Sequence, residues 1–239
     1  MKPIWIISHA ACEHPGYLCQ SLDQRNIQYK IAHIEHGQTI PEQVDNVAGL
    51  VFLGLPVSIN DSLNWMSDEV ALIKLAIEVD VPVLGICFGA QLIAKALNGE
   101  VCLAPSMQIG WHPVTLSQQG KAIFGNVDFP AYFTAFEWHG DTFSLPRDSA
   151  PLFYGKCIKN QGFSYNNCLA LQFHPEITET MIHEWLDRYA HCLERPTPCI
   201  QSRAEILKNI GDRLAAQQLV ADKLFDWWIG RVHEYCTGL

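Results

Sequence analysis

Residues 81–91 read VPVLGICFGAQ, and this stretch indicates both a fold class and a candidate nucleophile. Residues 81–86 form an apolar run, as expected of a parallel strand that is buried on both faces of a sheet. Residues 88–97 favour a helix, which the following Asn-Gly pair would stop. Glycines flank Cys87 between the two elements, a pattern typical of the sharp strand-to-helix turn that lifts a nucleophile above the edge of a sheet.

The position of Cys87 suits a reactive thiol. Unpaired N–H groups and the dipole at a helix N-terminus favour the thiolate, which is the nucleophilic form of cysteine. The next backbone N–H, on Phe88, points to where an oxyanion would develop. A buried structural cysteine in the same turn is the alternative, and this motif alone does not separate the two.

The sequence around this turn alternates strand and helix patterns, which predicts βαβ units and a mostly parallel sheet in a three-layer α/β/α fold. The predicted strands of this region are residues 4–8, 29–34, 47–53 and 81–86, and the predicted helices are residues 16–26, 67–79 and 88–97.

Beyond residue 100 the pattern changes to short strands and then to helices. The predicted strands there are residues 110–116, 132–138, 152–156 and 169–173, and a helical pattern follows from Thr178. We expect a core domain over residues 1–195 and a C-terminal helical extension over residues 196–239, joined at the break Pro196-Thr197-Pro198.

The extension carries an apolar stripe at helical spacing that needs a partner surface. Its members are Leu207, Ile210, Leu214, Leu224, Trp228 and Val232. We expect one or two helices that dock on the body of the same chain or on a second copy, as in a homodimer. A mobile tail that orders only on a synthetase partner is the alternative.

Composition excludes several classes of function. The formal net charge is −9 and no cluster of Lys and Arg is present, which argues against nucleic-acid binding and against an anionic membrane surface. The nine cysteines are odd in number, irregularly spaced and without a C-x-x-C pair, which favours reduced thiols in a cytoplasmic protein. The apolar run at the start is too short for a signal peptide, and no stretch is long enough for a membrane helix.

A second motif, Phe173-His174-Pro175-Glu176, follows a predicted strand. A thiolate nucleophile needs a base that later protonates the leaving amine, and that base needs an orienting carboxylate. His174 and Glu176 supply both groups, and residues two apart on an extended segment project to the same side. A solvated pair in a loop is the alternative for this motif taken alone.

Together the two motifs resemble the class I, triad-type glutamine amidotransferases. Their signature of G-x-C-x-G-x-Q, followed about a hundred residues later by H-P-E, matches residues 85–91 and 174–176. The loop Leu53-Gly54-Leu55-Pro56-Val57-Ser58 resembles that family's G-G-P-x-S oxyanion loop. Residues 110–114 (GWHPV) and 138–141 (WHGD) are similar to segments of stand-alone, GMP-synthase-like members, and the resemblance spans about residues 4–190.

The resemblance implies a flavodoxin-like α/β/α fold, a glutamine substrate, no cofactor and no metal. The implied catalytic residues are Cys87, His174 and Glu176; the implied oxyanion donors are the N–H groups of Leu55 and Phe88; the implied substrate-binding residues are Gly54, Gln91, Trp111 and His139. Two positions depart from the family pattern, since Leu55 replaces a glycine and Ala90 replaces a polar residue. The leucine questions whether its loop can adopt a positive φ.

Two assignments stay open at the level of sequence. His139 and Asp141 either line a substrate pocket or form a structural hydrogen-bonded pair. A metal site is a further alternative that would use His139, Asp141, His174 and Glu176.

Four functions are compatible with these motifs to different degrees. The first is hydrolysis of glutamine, with ammonia passed to a separate synthetase subunit. The second is a free-standing γ-glutamyl hydrolase or peptidase that uses the same thioester chemistry without a partner. A hydrolase of the dienelactone type is disfavoured, because its acid precedes its histidine in the chain. A binding module with a degenerate site is disfavoured because all three triad residue types are present.

Overall fold

The computed structural model describes residues 2–61, 63–125, 127–195 and 197–238. Its strands are β1 (Ile4–Ser8), β2 (Tyr29–His33), β3 (Gly49–Phe52), β4 (Val83–Ile86), β5 (Val101–Leu116), β6 (Tyr132–Phe143), β7 (Ala150–Gly155), β8 (Asn160–Tyr165) and β9 (Cys168–Leu171). Its α-helices are α1 (Gly16–Gln24), α2 (Met66–Glu78), α3 (Phe88–Ala96), α4 (Gln118–Phe124), α5 (Glu179–Arg188), α6 (Arg203–Leu207) and α7 (Ile210–Thr237).

All these strands join one sheet in the order β2-β1-β3-β4-β9-β8-β7-β5-β6. Strands β2, β1, β3, β4 and β9 pair in parallel, and the pairs from β9 to β6 are antiparallel. The α/β fold class is confirmed, and the sheet is mixed rather than parallel throughout. Short turns at residues 156–159 and 166–167 join the antiparallel neighbours β7, β8 and β9, whereas the connection from β5 to β6 contains α4.

The helices cover both faces of the parallel half, which gives the three layers. Leu18 and Leu22 of α1 and the buried side of α7 pack in one cluster with Ile6, whereas α2 and α3 pack in a second cluster with Ile7. Successive strand residues therefore point to opposite layers, as the pleat requires. Because both faces are buried, the carboxyl ends of these strands are left as the open edge where a site can form.

Two elements were absent from the sequence-based prediction. Strand β8 reads NQGFSY and lacks an apolar run. Its buried Gln161 is accommodated because the side-chain amide donates hydrogen bonds to Gln108 and to the Ile158 carbonyl. Helix α4 is short, and its start is capped by Ser117, whose hydroxyl accepts a hydrogen bond from the Gly120 N–H. Both elements depend on polar contacts that hydrophobic periodicity does not report.

The structure also corrects the prediction of reduced thiols. Cys157, in the turn between β7 and β8, forms a disulfide with Cys199, which lies before α6. The residues are 42 positions apart in the sequence, so their spacing gives no signal of the pairing. In the described part of the chain, no helix has the length and apolar character that crossing a membrane would require.

The C-terminal segment docks on the body of its own chain. Leu214, Leu224, Trp228 and Val232 are buried, and Leu207 and Ile210 are half-buried against the core. Two helices form because Asn209 takes a left-handed conformation with φ 54° between them. Pro196, within the predicted break, lies outside the described residues, and the domain boundary at 195/196 stays a prediction. Dimer formation likewise stays a prediction.

Docking of α7 should contribute strongly to stability. Trp228 is fully buried and lies close to the main chain of β3 at Gly49, so Trp228→Ala should leave a cavity in the core. We expect the free energy of unfolding to fall by about 3–5 kcal/mol. Leu219→Ala on the same helix is the control, because Leu219 is 67% exposed. Urea unfolding measures the stability of both variants, and equal unfolding midpoints for the two would contradict the docking of α7.

Candidate active site

Cys87 lies at a strained turn between β4 and α3. Its φ of 53° and ψ of −105° are unusual for a residue with a side chain, and such a conformation costs on the order of 1–3 kcal/mol. The flanking glycines permit the turn, because a Cβ on Gly85 would lie 2.5 Å from the Gly89 carbonyl oxygen and one on Gly89 would collide with the carbonyl oxygen of Phe52. The turn thus presents the Cys87 side chain to a cavity at the open edge of the sheet.

His174 and Glu176 follow β9, the strand beside β4. The Nδ1 of His174 lies 2.8 Å from Oε1 of Glu176, and both side chains are buried. A carboxylate only accepts, so Nδ1 carries the proton in this bond. The Nε2 of His174 is buried without a hydrogen-bond partner among the described residues, which leaves it free to act as a base.

The ionisation of Cys87 and His174 is coupled. Burial raises the pKa of the Cys87 thiol, and the nearby His174 imidazole opposes that rise. For His174, burial disfavours the imidazolium, but the charges of Glu176 and Cys87 outweigh this effect and raise its pKa well above the usual value. The raised pKa of His174 favours transfer of the thiol proton to the imidazole, which would give a thiolate beside an imidazolium, and the burial of Cys87 opposes that transfer.

The backbone of His174 is held from two sides. Its N–H donates to the Phe136 carbonyl at 2.9 Å, and its carbonyl accepts a hydrogen bond from the Gln217 side chain, also at 2.9 Å. The same Gln217 side chain accepts from the Phe136 N–H at 2.6 Å. Gln217 belongs to α7, so the C-terminal helix fixes the segment that carries the candidate base. No motif or periodicity in the sequence indicates a role for Gln217 at the site.

The two N–H groups predicted for the oxyanion hole lie at the same edge. Phe88 begins α3, and the first N–H groups of a helix have no acceptor within it. Leu55 lines the cavity, and its N–H donates to no other residue that the structure describes. Leu55 is not among the non-glycine residues of positive φ, so the loop accommodates leucine without that conformation. Its role as an oxyanion donor stays a prediction.

Cys87 opens into a cavity of about 410 Å³. Its lining is mainly apolar, with Trp138, Met107 and Tyr189 among the larger side chains, and Lys and Arg are absent from the described lining. Besides Cys87, Tyr189 and Cys192, the polar and ionisable side chains of the lining are Glu13, Ser58, Gln91, His139, Asp141 and His191. The cavity therefore suits a small compound with an apolar portion and hydrogen-bond donors.

The predicted substrate-binding residues separate into two groups. Gln91 and His139 line the cavity, and Gly54 lies against the ring of His174. Trp111 lies elsewhere: it packs on Phe136, and its Nε1–H donates to the Ile206 carbonyl at 3.0 Å. The expectation that Trp111 contacts substrate is therefore corrected.

His139 and Asp141 both line the cavity, but they do not form a side-chain pair. The Nδ1 of His139 donates to the backbone carbonyl of Asp141 at 2.9 Å, and its Nε2 lies 3.0 Å from the Glu137 carboxylate. The Asp141 carboxylate instead accepts from the Ser58 hydroxyl at 2.6 Å. Because both of its ring nitrogens have partners, the His139 ring is held in one orientation in the cavity wall.

The alternative metal site is not assembled by the fold. Nδ1 of His174 is used by Glu176, and both nitrogens of His139 are used as described. Within the described ranges, the cluster with ligand atoms close enough for a metal ion is His33, Glu35 and His36, which is partly exposed and does not line this cavity.

Glu13 is a cavity residue that the sequence analysis did not single out. It lies in the loop between β1 and α1, at the same edge of the sheet as Cys87, and it is buried. The rule that sites form at the carboxyl ends of parallel strands would have drawn attention to this loop. No periodicity or motif distinguishes Glu13 from the other acidic residues of the sequence.

Comparisons with known proteins agree with this architecture. Residues 16–189 match the model of the family described as glutamine amidotransferase class-I. The glutamine amidotransferase-like protein YfeJ of Salmonella typhimurium is 27% identical over 181 residues, which cover 73% of this chain and 76% of that protein. The crystal structure of a glutamine amido transferase from Methylobacillus flagellatus has a TM-score of 0.91 and 31% identity, and the match covers 97% of this chain and 95% of that one.

Several relatives are GMP synthases, described as glutamine-hydrolysing. The enzyme of Borrelia garinii is 30% identical over 56% of this chain, and the match spans only 25% of the length of that enzyme. In Saccharolobus solfataricus the relative is a single subunit of such a GMP synthase. It is 28% identical over 65% of this chain, and the match spans 82% of its length.

The charge of Glu176 should control the reactivity of Cys87. Glu176 contacts the His174 ring at 2.8 Å and raises its pKa, so Glu176→Gln should lower the His174 pKa and weaken the support that the imidazole gives to a thiolate on Cys87. We expect alkylation of Cys87 by iodoacetamide, followed by peptide mapping, to slow several-fold. Glu179→Gln, at an exposed position of α5, is the control. An unchanged alkylation rate in Glu176→Gln would exclude this coupling.

Gln217 should stabilise the His174 segment. Gln217→Leu would leave the Phe136 N–H and the His174 carbonyl without the Gln217 partner in the interior. We expect the free energy of unfolding to fall by about 1–3 kcal/mol. Gln218→Leu, one residue further along α7, is the control and should change it by less than about 0.5 kcal/mol. Denaturant titrations that give the same loss for both variants would argue against this bridge.

Proposed function

This chain belongs to the class-I glutamine amidotransferase family, and we propose that it hydrolyses the side-chain amide of glutamine through a γ-glutamyl thioester on Cys87. One observation carries the proposal. Cys87 stands at a strained strand-to-helix turn beside a buried His174 whose Nδ1 is held by Glu176 and whose Nε2 is free. Nucleophile, base and orienting carboxylate are the three groups that thioester chemistry requires.

In the acylation step, the Cys87 thiolate attacks the amide carbon and a carbon–sulfur bond forms. The N–H groups of Phe88 and Leu55 would bind the oxygen as it becomes negative. The His174 imidazolium then gives its Nε2 proton to the amide nitrogen, and the carbon–nitrogen bond breaks to release ammonia. Glu176 keeps the proton on Nδ1, so that Nε2 is the nitrogen that exchanges protons with the substrate.

In the deacylation step, neutral His174 takes a proton from a water molecule at Nε2. The resulting hydroxide attacks the thioester carbon, and the carbon–sulfur bond breaks to release glutamate and the thiolate. The imidazolium and thiolate are thereby restored. Neither step uses a cofactor or a metal ion, and we propose that the reaction needs neither.

The size and lining of the cavity favour a second candidate of the same chemistry. Ammonia is a small leaving group that needs no apolar surface, whereas the cavity of about 410 Å³ has Met107, Trp138 and Tyr189 in its wall. A γ-glutamyl hydrolase or peptidase would use that wall to bind the amine half of a γ-glutamyl conjugate or peptide. Thioester formation on Cys87 is common to both candidates.

The relatives support a partner for the first candidate. Some are named as whole GMP synthases, and one is named as a glutamine-hydrolysing subunit of that enzyme. We infer that a separate synthetase subunit would receive ammonia from this chain if it acts as an amidotransferase. A cytoplasmic location is a further proposal that rests on composition, whereas a homodimer has no support from the C-terminal helix, whose apolar stripe is buried on its own chain.

A substrate comparison tests the proposal. The purified chain should release equal amounts of ammonia and glutamate from glutamine, and Cys87→Ala should abolish this activity. Cys102→Ala is the control, because Cys102 is an exposed free cysteine away from the cavity. Rates on γ-glutamyl dipeptides and γ-glutamyl alkylamines, measured in parallel, distinguish the two candidates. Full turnover of any of these substrates by Cys87→Ala would refute the thioester mechanism.

A further inference from the structure

The Glu13 carboxylate is closely packed beside His174, the candidate base. Its Oε2 sits directly over the Cα of Gly54, where any Cβ would collide with it. The Cε1 atom of His174 is 3.4 Å from that same Cβ position, so carboxylate, glycine and imidazole ring meet at one point. The side chain is 7% exposed and lines the cavity that contains Cys87. The absence of a side chain at Gly54 therefore makes room for the Glu13 carboxylate.

Glu13 differs from the other buried carboxylates of the described chain in having no histidine partner. Glu69 bonds to His9 at 3.0 Å, Glu137 to His139 at 3.0 Å and Glu176 to His174 at 2.8 Å. No hydrogen bond between residues that the structure describes involves the Glu13 carboxylate. A buried carboxylate needs a donor, and Glu13 can receive one from the cavity that it lines, where an N–H group of a ligand would replace water.

The charges around Glu13 are consistent with a donor that comes from the cavity. Burial raises the pKa of Glu13 to about 7, with a smaller rise from Glu176, and His174 and His9 oppose it. Lys and Arg are absent from the described lining, so neither pairs with Glu13 there. A bound N–H donor or ammonium ion would favour the ionised form of Glu13 and lower its pKa again.

The position of Glu13 relative to the imidazole identifies the half of the substrate that it meets. The leaving nitrogen must lie next to Nε2 of His174, because that atom delivers its proton. Cε1 is bonded to both ring nitrogens, and it lies 3.4 Å from the Cβ position at Gly54 that Oε2 of Glu13 also approaches. Nδ1 is engaged by Glu176, so the free nitrogen next to Cε1 is Nε2, and we place the Glu13 carboxylate within reach of the leaving nitrogen that binds there.

We propose that the Glu13 carboxylate binds the leaving nitrogen of the substrate, first as an amide N–H and then as the released amine. This inference rests on the proposed function and adds a specificity-determining residue to it. It restricts the substrate class to amides that carry at least one N–H on the scissile nitrogen. After bond cleavage most of the released ammonia takes a proton from water, and the ammonium ion that forms is a better partner for Glu13 than ammonia itself.

The test compares glutamine with the γ-methyl ester of glutamate, which has oxygen in place of the leaving nitrogen. Both substrates need Cys87 and His174, but only glutamine offers an N–H to Glu13. Glu13→Gln removes the charge with little change in size, and Glu13→Leu removes the acceptor. In both variants the ratio of kcat/KM for glutamine to kcat/KM for the ester should fall about ten-fold or more, the loss expected for a hydrogen bond to a charged group.

Ammonium chloride supplies a second readout that does not depend on glutamine turnover. It should inhibit hydrolysis of the ester by the wild-type protein more strongly than choline chloride at equal ionic strength. Glu13→Gln should lose that difference. Thermal unfolding of the variants establishes that they fold, and the ester rate of Glu13→Gln keeps the comparison interpretable if Glu13→Leu is unstable.

The outcomes separate this inference from the proposed function. Equal slowing of glutamine and ester, together with unchanged inhibition by ammonium, would mean that Glu13 acts only through His174 or through the fold, and the inference would be wrong. Hydrolysis of both substrates by Cys87→Ala, or of neither by the wild-type protein, would overturn the proposed function and this inference with it. A wild-type protein that hydrolyses both substrates and loses the discrimination in Glu13→Gln supports the two together.

Discussion

The positive φ of Cys87 is the constraint on which the rest of the site depends. A cysteine held at φ 53° and ψ −105° has no favourable local reason to adopt that conformation, so its surroundings must impose it. They do so through close packing, since α3 approaches β3 so tightly that Gly89 has no room for a Cβ beside Phe52. The Cys87 N–H also donates to the Leu171 carbonyl of β9 at 2.8 Å, which ties the turn to the strand that precedes His174.

Buried pairs of carboxylate and histidine organise the region around that turn. Glu176 holds His174, Glu137 holds His139, and Glu69 holds His9, whose ring packs against Phe88 at the start of α3. Each pair fixes the orientation of an imidazole that the apolar core alone would leave undefined. Glu13 lies among these pairs without a partner of its own. The arrangement leaves the Glu13 carboxylate and the Cys87 thiol in the wall of one cavity, with the free Nε2 of His174 buried next to them.

The sequence predicted the parts of the site that are contiguous in the chain. The strand and helix around Cys87 and the spacing of His174 and Glu176 depend on local patterns, and the structure brings these residues to one edge of the sheet. The class-I glutamine amidotransferase family was also recognised from these motifs, and the comparisons confirm it. Glu13 and Gln217 could not be found in this way, because each acts through contacts with residues far away in the sequence.

The errors have the same physical origin. Trp111 resembles a family motif, yet its indole is engaged by the C-terminal extension, whose docking no local pattern describes. The disulfide of Cys157 and Cys199 joins a turn to a segment that only the fold brings near. Of the antiparallel half of the sheet, β8 was missed because the strand includes buried polar residues such as Gln161. Hydrophobic periodicity indicates packing against an apolar layer, so it does not identify strands whose buried side chains are polar.

The most direct test of the central claim is to map where a glutamine-like diazo ketone attaches to the protein. The account predicts one label per chain on Cys87, formed at the rate at which activity is lost and slowed by added glutamine, while the exposed thiols Cys102 and Cys236 stay unlabelled. Attachment to a different residue in step with inactivation, or full turnover of glutamine by a chain labelled at Cys87, would contradict it.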